Sequence, residues 1–151
     1  MANRNFNRLQ ALDKEVKHLY GTFDVGASGA RTFDTAAISR SAGIKSITKE
    51  SGAGQYTIVL GVPSGDIDRY SALLFFEAIL LEAGAPAAEG SSLCQLVSED
   101  VSGTTGSLVV NFVRSDTGAY ANTPDGSKVL FHIVVKNSNL SAVGAGTIGA
   151  L

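Results

Sequence analysis

Near its start the chain carries apolar side chains at Leu9, Leu12, Val16 and Leu19. At about 100° per residue these four fall within roughly 80° of one another, the stripe of an amphipathic helix. Phe6 and Tyr20 widen the stripe, Asp13 interrupts it, and Gly21 stands where such a helix would stop. The pattern predicts a helix over residues 1–21. Its spacing is also a short heptad seam, and a helix this short needs a surface to pack on. The chain's own core supplies one such surface and a neighbouring subunit another.

Residues 22–43 lose that pattern. The run Gly26-Ala27-Ser28-Gly29-Ala30 has little side chain to bury and predicts an extended arm, with Thr32–Ile38 contributing a short strand at most. From Ile44 the period changes to two. Ile44–Glu50 alternates with a phase slip that suggests a bulge, and Ser51-Gly52-Ala53-Gly54 is a turn. Gln55–Gly61 then places Tyr56, Ile58 and Leu60 on one side, completing a hairpin. Leu93–Glu99, Ser107–Arg114 (Leu108, Val110 and Phe112 in phase) and Lys128–Lys136 (Val129, Phe131, Ile133 and Val135 in phase) read as further strands. Between them lie loops marked by Pro63, Gly65, Gly84, Pro86, Gly118, Pro124 and Gly126.

Tyr70–Glu82 is apolar on all sides. Periodicity leaves both a buried helix and a long strand open, and the β context with the Phe75-Phe76 pair tilts it to strand. The division is then an N-terminal helix (1–21), an arm (22–43), a β body (44–138) and a small, uncharged tail (139–151). Some six or seven short strands separated by turns predict a mainly β fold. The expectation is an antiparallel β-sandwich, jelly-roll-like or immunoglobulin-like, behind an N-terminal amphipathic α-helix.

Composition adds limits. Hydrophobic residues make up 44% and charged residues 17% of the chain, which excludes a disordered polyampholyte and leaves some surface not designed for water alone. A net charge of −2 lacks the basic field of a nucleic-acid binder, although residues 1–20 hold four basic against two acidic side chains. The longest apolar stretch, Ala72–Leu81, is interrupted by Glu77 and is too short to span a bilayer; with no secretory leader pattern at Met1–Asn5, we expect a protein made in the cytoplasm that stays soluble or joins an assembly, without a membrane partner. The single cysteine, Cys94, sits in the apolar run Leu93–Val97 and reads as a small core residue.

Candidate chemistry is sparse. The two histidines, His18 and His132, both fall on polar sides of their elements, so neither is expected to serve a nucleophile. No short Cys/His spacing makes a zinc site, and Asp66-Ile67-Asp68 lacks the further oxygen donors of a calcium loop. Glu99 and Asp100 are adjacent on a strand and so point to opposite faces. Gly26 to Gly29 has no lysine and no strand-to-helix setting for phosphate. The lack of tryptophan and an aromatic content of 7% argue against a carbohydrate-binding face, for which Tyr56, Tyr70 and Tyr120 are the available residues. The expectation is no catalysis, no cofactor and no metal.

The opening Met1-Ala2-Asn3-Arg4-Asn5-Phe6-Asn7-Arg8-Leu9-Gln10-Ala11-Leu12-Asp13-Lys14-Glu15-Val16-Lys17 resembles that of small virion structural proteins of tailed bacteriophages. The hairpin Ile47–Ile58, with its glycine-rich turn and aromatic-led strand, and the late segments Thr123–Phe131 and Lys136-Asn137-Ser138 are similar to theirs as well. Residues 71–81 and those after 141 lie outside the likeness. The resemblance implies a capsid decoration, cement or head auxiliary protein on the virion surface, with a β-sandwich body and an N-terminal anchor. Its implied partners are the major capsid protein or other virion proteins, and its implied state is a homo-oligomer. Phe6, Leu9, Leu12, Val16 and Leu19 are the expected partner contacts. Two alternatives stand beside this one: a head fibre, neck or tail component whose helix trimerises, and a virion protein that binds host-surface carbohydrate.

Overall fold

The structure, a computed structural model, describes residues 16–33, 38, 40–83 and 92–137. Among the described residues there are eight strands: β1 (Val16–Val25), β2 (Arg31–Thr32), β3 (Ile44–Lys49), β4 (Gln55–Leu60), β5 (Tyr70–Leu81), β6 (Ser92–Asp100), β7 (Ser107–Arg114) and β8 (Lys128–Asn137). A single 3-10 turn, Ala27–Gly29, separates β1 from β2. The strands form two antiparallel sheets ordered β2-β1-β8-β5 and β3-β4-β7-β6.

The core lies where the alternating apolar positions of the two sheets meet. Phe23, Phe131, Ile133 and Val135 come from the first sheet and Ile47, Tyr56, Ile58, Leu60, Leu108 and Phe112 from the second, all buried. Tyr56 sits at its centre, tilted against Phe23 at 5.0 Å and edge-on to Phe112 at 5.8 Å between ring centroids. Its hydroxyl donates to the carbonyl of Gly29 at 2.8 Å, which satisfies the one polar atom this ring brings inside. The β3–β4 hairpin closes as expected over Ser51–Gly54, with the Glu50 amide donating to Gln55 O at 2.9 Å and Gly54 at φ +65°. The anticipated irregularity falls between Ile44 and Ser46.

Residues 16–21, expected to finish an N-terminal helix, are instead the first half of β1, which pairs with β8 from Val16↔Lys136 to Asp24↔Lys128. The inward residues Leu19, Phe23 and Val25 keep a period of two, and the gap at Gly21 hides it in the sequence. The rest of that helix, residues 1–15, lies outside the described residues, as do 138–151. The expected arm is also shorter than its span, because residues 22–25 complete β1 and Arg31–Thr32 add an edge strand beside it. Tyr70–Leu81 is a strand, which settles the helix-or-strand ambiguity.

The two sides along which the sheets meet differ. At the β2/β3 side, Tyr20 and Ala42 exchange two backbone hydrogen bonds of 3.2 and 2.7 Å, and Leu19 packs on Gly43. At the β5/β6 side the edge strands belong to different sheets. They are tied near one end by the Tyr70 amide to Val101 O at 2.8 Å and near the other by the Ser92 amide to Glu82 Oε1 at 2.8 Å.

Candidate interaction surface

The outer face of the first sheet follows from the same alternation. Where Leu19, Val129, Phe131, Ile133 and Val135 point in, their neighbours His18, Tyr20, Leu130, His132 and Val134 point out. The β5 register sets Phe75 beside Val134, Glu77 beside His132, Ile79 beside Leu130 and Leu81 beside Lys128. Three strands thus present one strip of large side chains to solvent: Tyr20 is 49% exposed, Phe75 48%, Ile79 57% and Leu130 40%.

The rings in this strip are organised around His132. Tyr20 stacks on it with centroids 4.7 Å apart and planes 8° apart, His18 stacks on it at 5.2 Å and 16°, and Phe75 meets it edge-on at 5.9 Å. His18 Nδ1 and His132 Nε2 share a 3.0 Å hydrogen bond, one ring donating and the other accepting. The imidazoles thus bond to each other, which fixes the strip without preparing a proton relay to a nucleophile. Beside them a shallow hollow of about 250 Å³ is lined by Tyr20, Arg40, Glu77, Ile79, Leu130 and His132.

Charges stand at one end of the strip, where Asp24 pairs with Lys128 at 3.6 Å and with Arg40 at 4.0 Å. On the other side of the sheet, in phase with Leu19, Lys17 donates to the Tyr70 hydroxyl at 3.0 Å and lies 3.9 Å from Asp68. The Tyr70 hydrogen bond holds the Lys17 ammonium above its ordinary pKa, and burial raises the Tyr70 phenol. An apolar, aromatic centre with a charged margin is the usual anatomy of a protein-binding patch. Such flat rings can stack on a partner's apolar face, and the margin can set its orientation.

A second feature lies beside β5 and β6. It is an open cleft of about 570 Å³ lined by Leu73, Leu74, Phe75, Phe76, Glu77 and Ala78 from β5 and by Cys94 and Leu96 from β6. Burial pushes the Cys94 thiol up to about 12, so it lacks the thiolate character of a reactive cysteine.

The residues expected to touch partners are placed differently. Leu19 is 1% exposed and belongs to the chain's own core, so it is not free to meet a partner. Val16 opens β1, half-buried beside Lys136, and Phe6, Leu9 and Leu12 lie outside the described residues. The three tyrosines that could have formed a carbohydrate-binding face do not come together on the surface: Tyr56 and Tyr70 are buried, and of the three Tyr120 alone is exposed. The sequence did hold a signal for the observed strip, since Leu130 and His132 alternate with the core residues of β8. Tyr20 and His18 alternate likewise with Leu19 once β1 is read as a strand. Among the described residues, no group of three or more His, Cys, Asp or Glu side chains could hold a metal ion, and no helix is long and apolar enough to cross a membrane. No family model, curated protein or solved structure matches this chain.

Proposed function

We propose that this protein is a non-enzymatic structural component of a tailed-phage particle, a decoration or cement protein that adheres to the shell of major capsid protein through the outer face of its first sheet. We read its two-sheet body as a jelly-roll-like or immunoglobulin-like sandwich. The observation that carries the reading is the exposed strip built by Tyr20, His132, Phe75, Ile79 and Leu130. Single exposed apolar side chains are ordinary, but a strip drawn from three adjacent strands is the kind of patch that partners cover. The likeness of the opening segment, the β3–β4 hairpin and the closing strand to phage virion proteins supplies the class of partner.

The mechanism is adhesion. Covering about 300 Å² of apolar surface is worth roughly 7 kcal/mol before the cost of association is subtracted. Repetition over a shell multiplies a modest contact into a large stabilisation against internal pressure.

The test is the copy number of this protein in purified particles, by quantitative mass spectrometry against the major capsid protein. A fixed ratio near one, or a large fraction of it, supports the decoration role. About a dozen copies per shell would favour a head fibre, neck or tail position on symmetry grounds. Absence from particles would overturn the reading.

A further inference from the structure

We propose that two copies of this chain associate through β5, each adding the other's strand to its first sheet in antiparallel pairing about a twofold axis at Ala78. β5 closes that sheet in the order β2-β1-β8-β5, and among the described residues no strand pairs with its other side. The backbone N–H and C=O groups along that side are an open template for a further strand. The cleft beside β5 follows this free edge. It takes in Phe76 and Ala78 from the inward face of the strand, Phe75 and Glu77 from the outward face, and Cys94 and Leu96 of β6. A space bordered by both faces of one strand is where a neighbouring strand lies.

The edges of the two sheets are not alike. β2 is two residues long and carries Arg31, and β3 carries Lys45 and Lys49. Short strands and basic side chains keep an edge from pairing. β5 has twelve residues and β6 nine, and neither contains Lys, Arg or Pro. Apolar exposure gathers on the same two strands. Leu74, Phe75, Ile79 and Leu81 on β5 and Leu93, Leu96 and Val97 on β6 are each 39–57% exposed, whereas the large hydrophobic residues of β3, Ile44 and Ile47, are buried. Half-exposed side chains of this number and size offer on the order of 600 Å² per copy, close to the roughly 800 Å² that each partner gives to a standard interface. The Tyr70 amide bond to Val101 O and the Ser92 amide bond to Glu82 Oε1 hold β6 alongside β5. A twofold that joins the β5 edges therefore also turns the apolar β6 edges toward each other.

The residue order of β5 selects its own copy as the occupant. Register shifts at Tyr70/Ala72 and Leu73/Phe75 leave Phe75–Leu81 as the regular stretch, centred on Ala78. Pairing that stretch in full with itself sets Phe75 opposite Leu81 and Glu77 opposite Ile79 on the outer face, and Phe76 opposite Leu80 on the inner face. Faces match in every pair, as antiparallel register requires. Glu77, the one charged residue of the strand, then lies beside an apolar neighbour, whereas a register centred on Glu77 would oppose the two carboxylates. The contact is isologous and so closes as a dimer. It makes one continuous eight-stranded sheet, with the outer strip running across both copies.

The pairing is read on the isolated full chain in solution, so its failure is distinct from a failure to bind particles. Sedimentation equilibrium should show a reversible dimer of twice the 15.6 kDa chain, with a dissociation constant on the order of micromolar. Ile79→Glu opposes a carboxylate to Glu77 of the second copy at two symmetric places and should raise that constant about tenfold. Ile79→Lys, at the same exposed position, places the opposite charge there and should leave it within about threefold of the parent. Combining Glu77→Lys with Ile79→Glu should restore the dimer, a rescue that loss of folding could not give. A monomer at all concentrations up to about 100 μM would overturn the proposal. Equal weakening by Ile79→Glu and Ile79→Lys, or no weakening by either, would overturn it as well, because the dimer would then be held through another surface.

Discussion

The ring of Phe131 lies where a side chain on Gly21 would have to go. The two residues are register partners across the β1–β8 ladder, both facing the core, and a β-carbon on Gly21 would run into three atoms of that ring. The ring covers the glycine, and the glycine makes room for the ring. Gly21→Ala should therefore overpack the core and cost about 2 kcal/mol, read as a lower urea midpoint with an unchanged slope. Gly21→Ala combined with Phe131→Leu should recover part of that loss, because the two sites share one space.

Ile79→Asp and Tyr20→Asp change side chains that stand in solvent on the outer strip. Ile79→Asp should shift stability by about 0.5 kcal/mol, and Tyr20→Asp, which also loses the stack on His132, by about 1 kcal/mol. If the strip is the adhesive face, the same variants should lose occupancy on purified particles while melting within a few degrees of the parent. Full occupancy with both variants present would remove the strip from the adhesive role.

Tyr56 is buried to its hydroxyl, which donates to Gly29 O at 2.8 Å. Tyr56→Phe keeps the ring contacts with Phe23 and Phe112 but leaves that carbonyl without this donor. The expected cost is about 1–2 kcal/mol, measured by equilibrium unfolding.

The Cys94 thiol is raised by burial from 9.0 to about 12. Its alkylation rate in the folded protein should climb about tenfold per pH unit from pH 8 to 11 without levelling off, whereas an ordinary thiol plateaus above its own pKa of roughly 8.5. The sign for stability follows. The unfolded chain releases this proton first, so the contribution is fully present below pH 9.0 and is lost as pH rises toward about 12. A melting temperature that falls less steeply over that window in Cys94→Ala than in the parent would confirm it.

Much of the body was legible from the chain alone. β4 and β8 alternate cleanly because each buries one face, β7 keeps Leu108, Val110 and Phe112 in phase although Asn111 and Val113 are buried on its other face, β3 alternates past its bulge at Ile44/Ser46, and the glycines of the β3–β4 turn mark its reversal. β1 was not legible, since Gly21 empties one inward position and leaves Val16 and Leu19 in step with Leu9 and Leu12 at helical spacing. β5 was ambiguous for the opposite reason: it is apolar on both faces, one toward the core and the other on the exposed strip. The strip itself depends on register between strands far apart in sequence. Tyr20, Phe75 and His132 become neighbours only when β8 pairs with both β1 and β5, and no local pattern announces that.

β1 and β8 also decide how the molecule bears load. Val16 opposes Lys136, so the chain enters and leaves this sheet at the same end of one antiparallel pair. Tension applied through the two tails would part that pair one rung at a time, from Val16 toward Asp24, with the force on a single rung. Tension applied across the outer face instead loads the whole β1–β8–β5 ladder at once. The same protein is thus weak as a tether between two anchors and strong as a patch pressed along a surface.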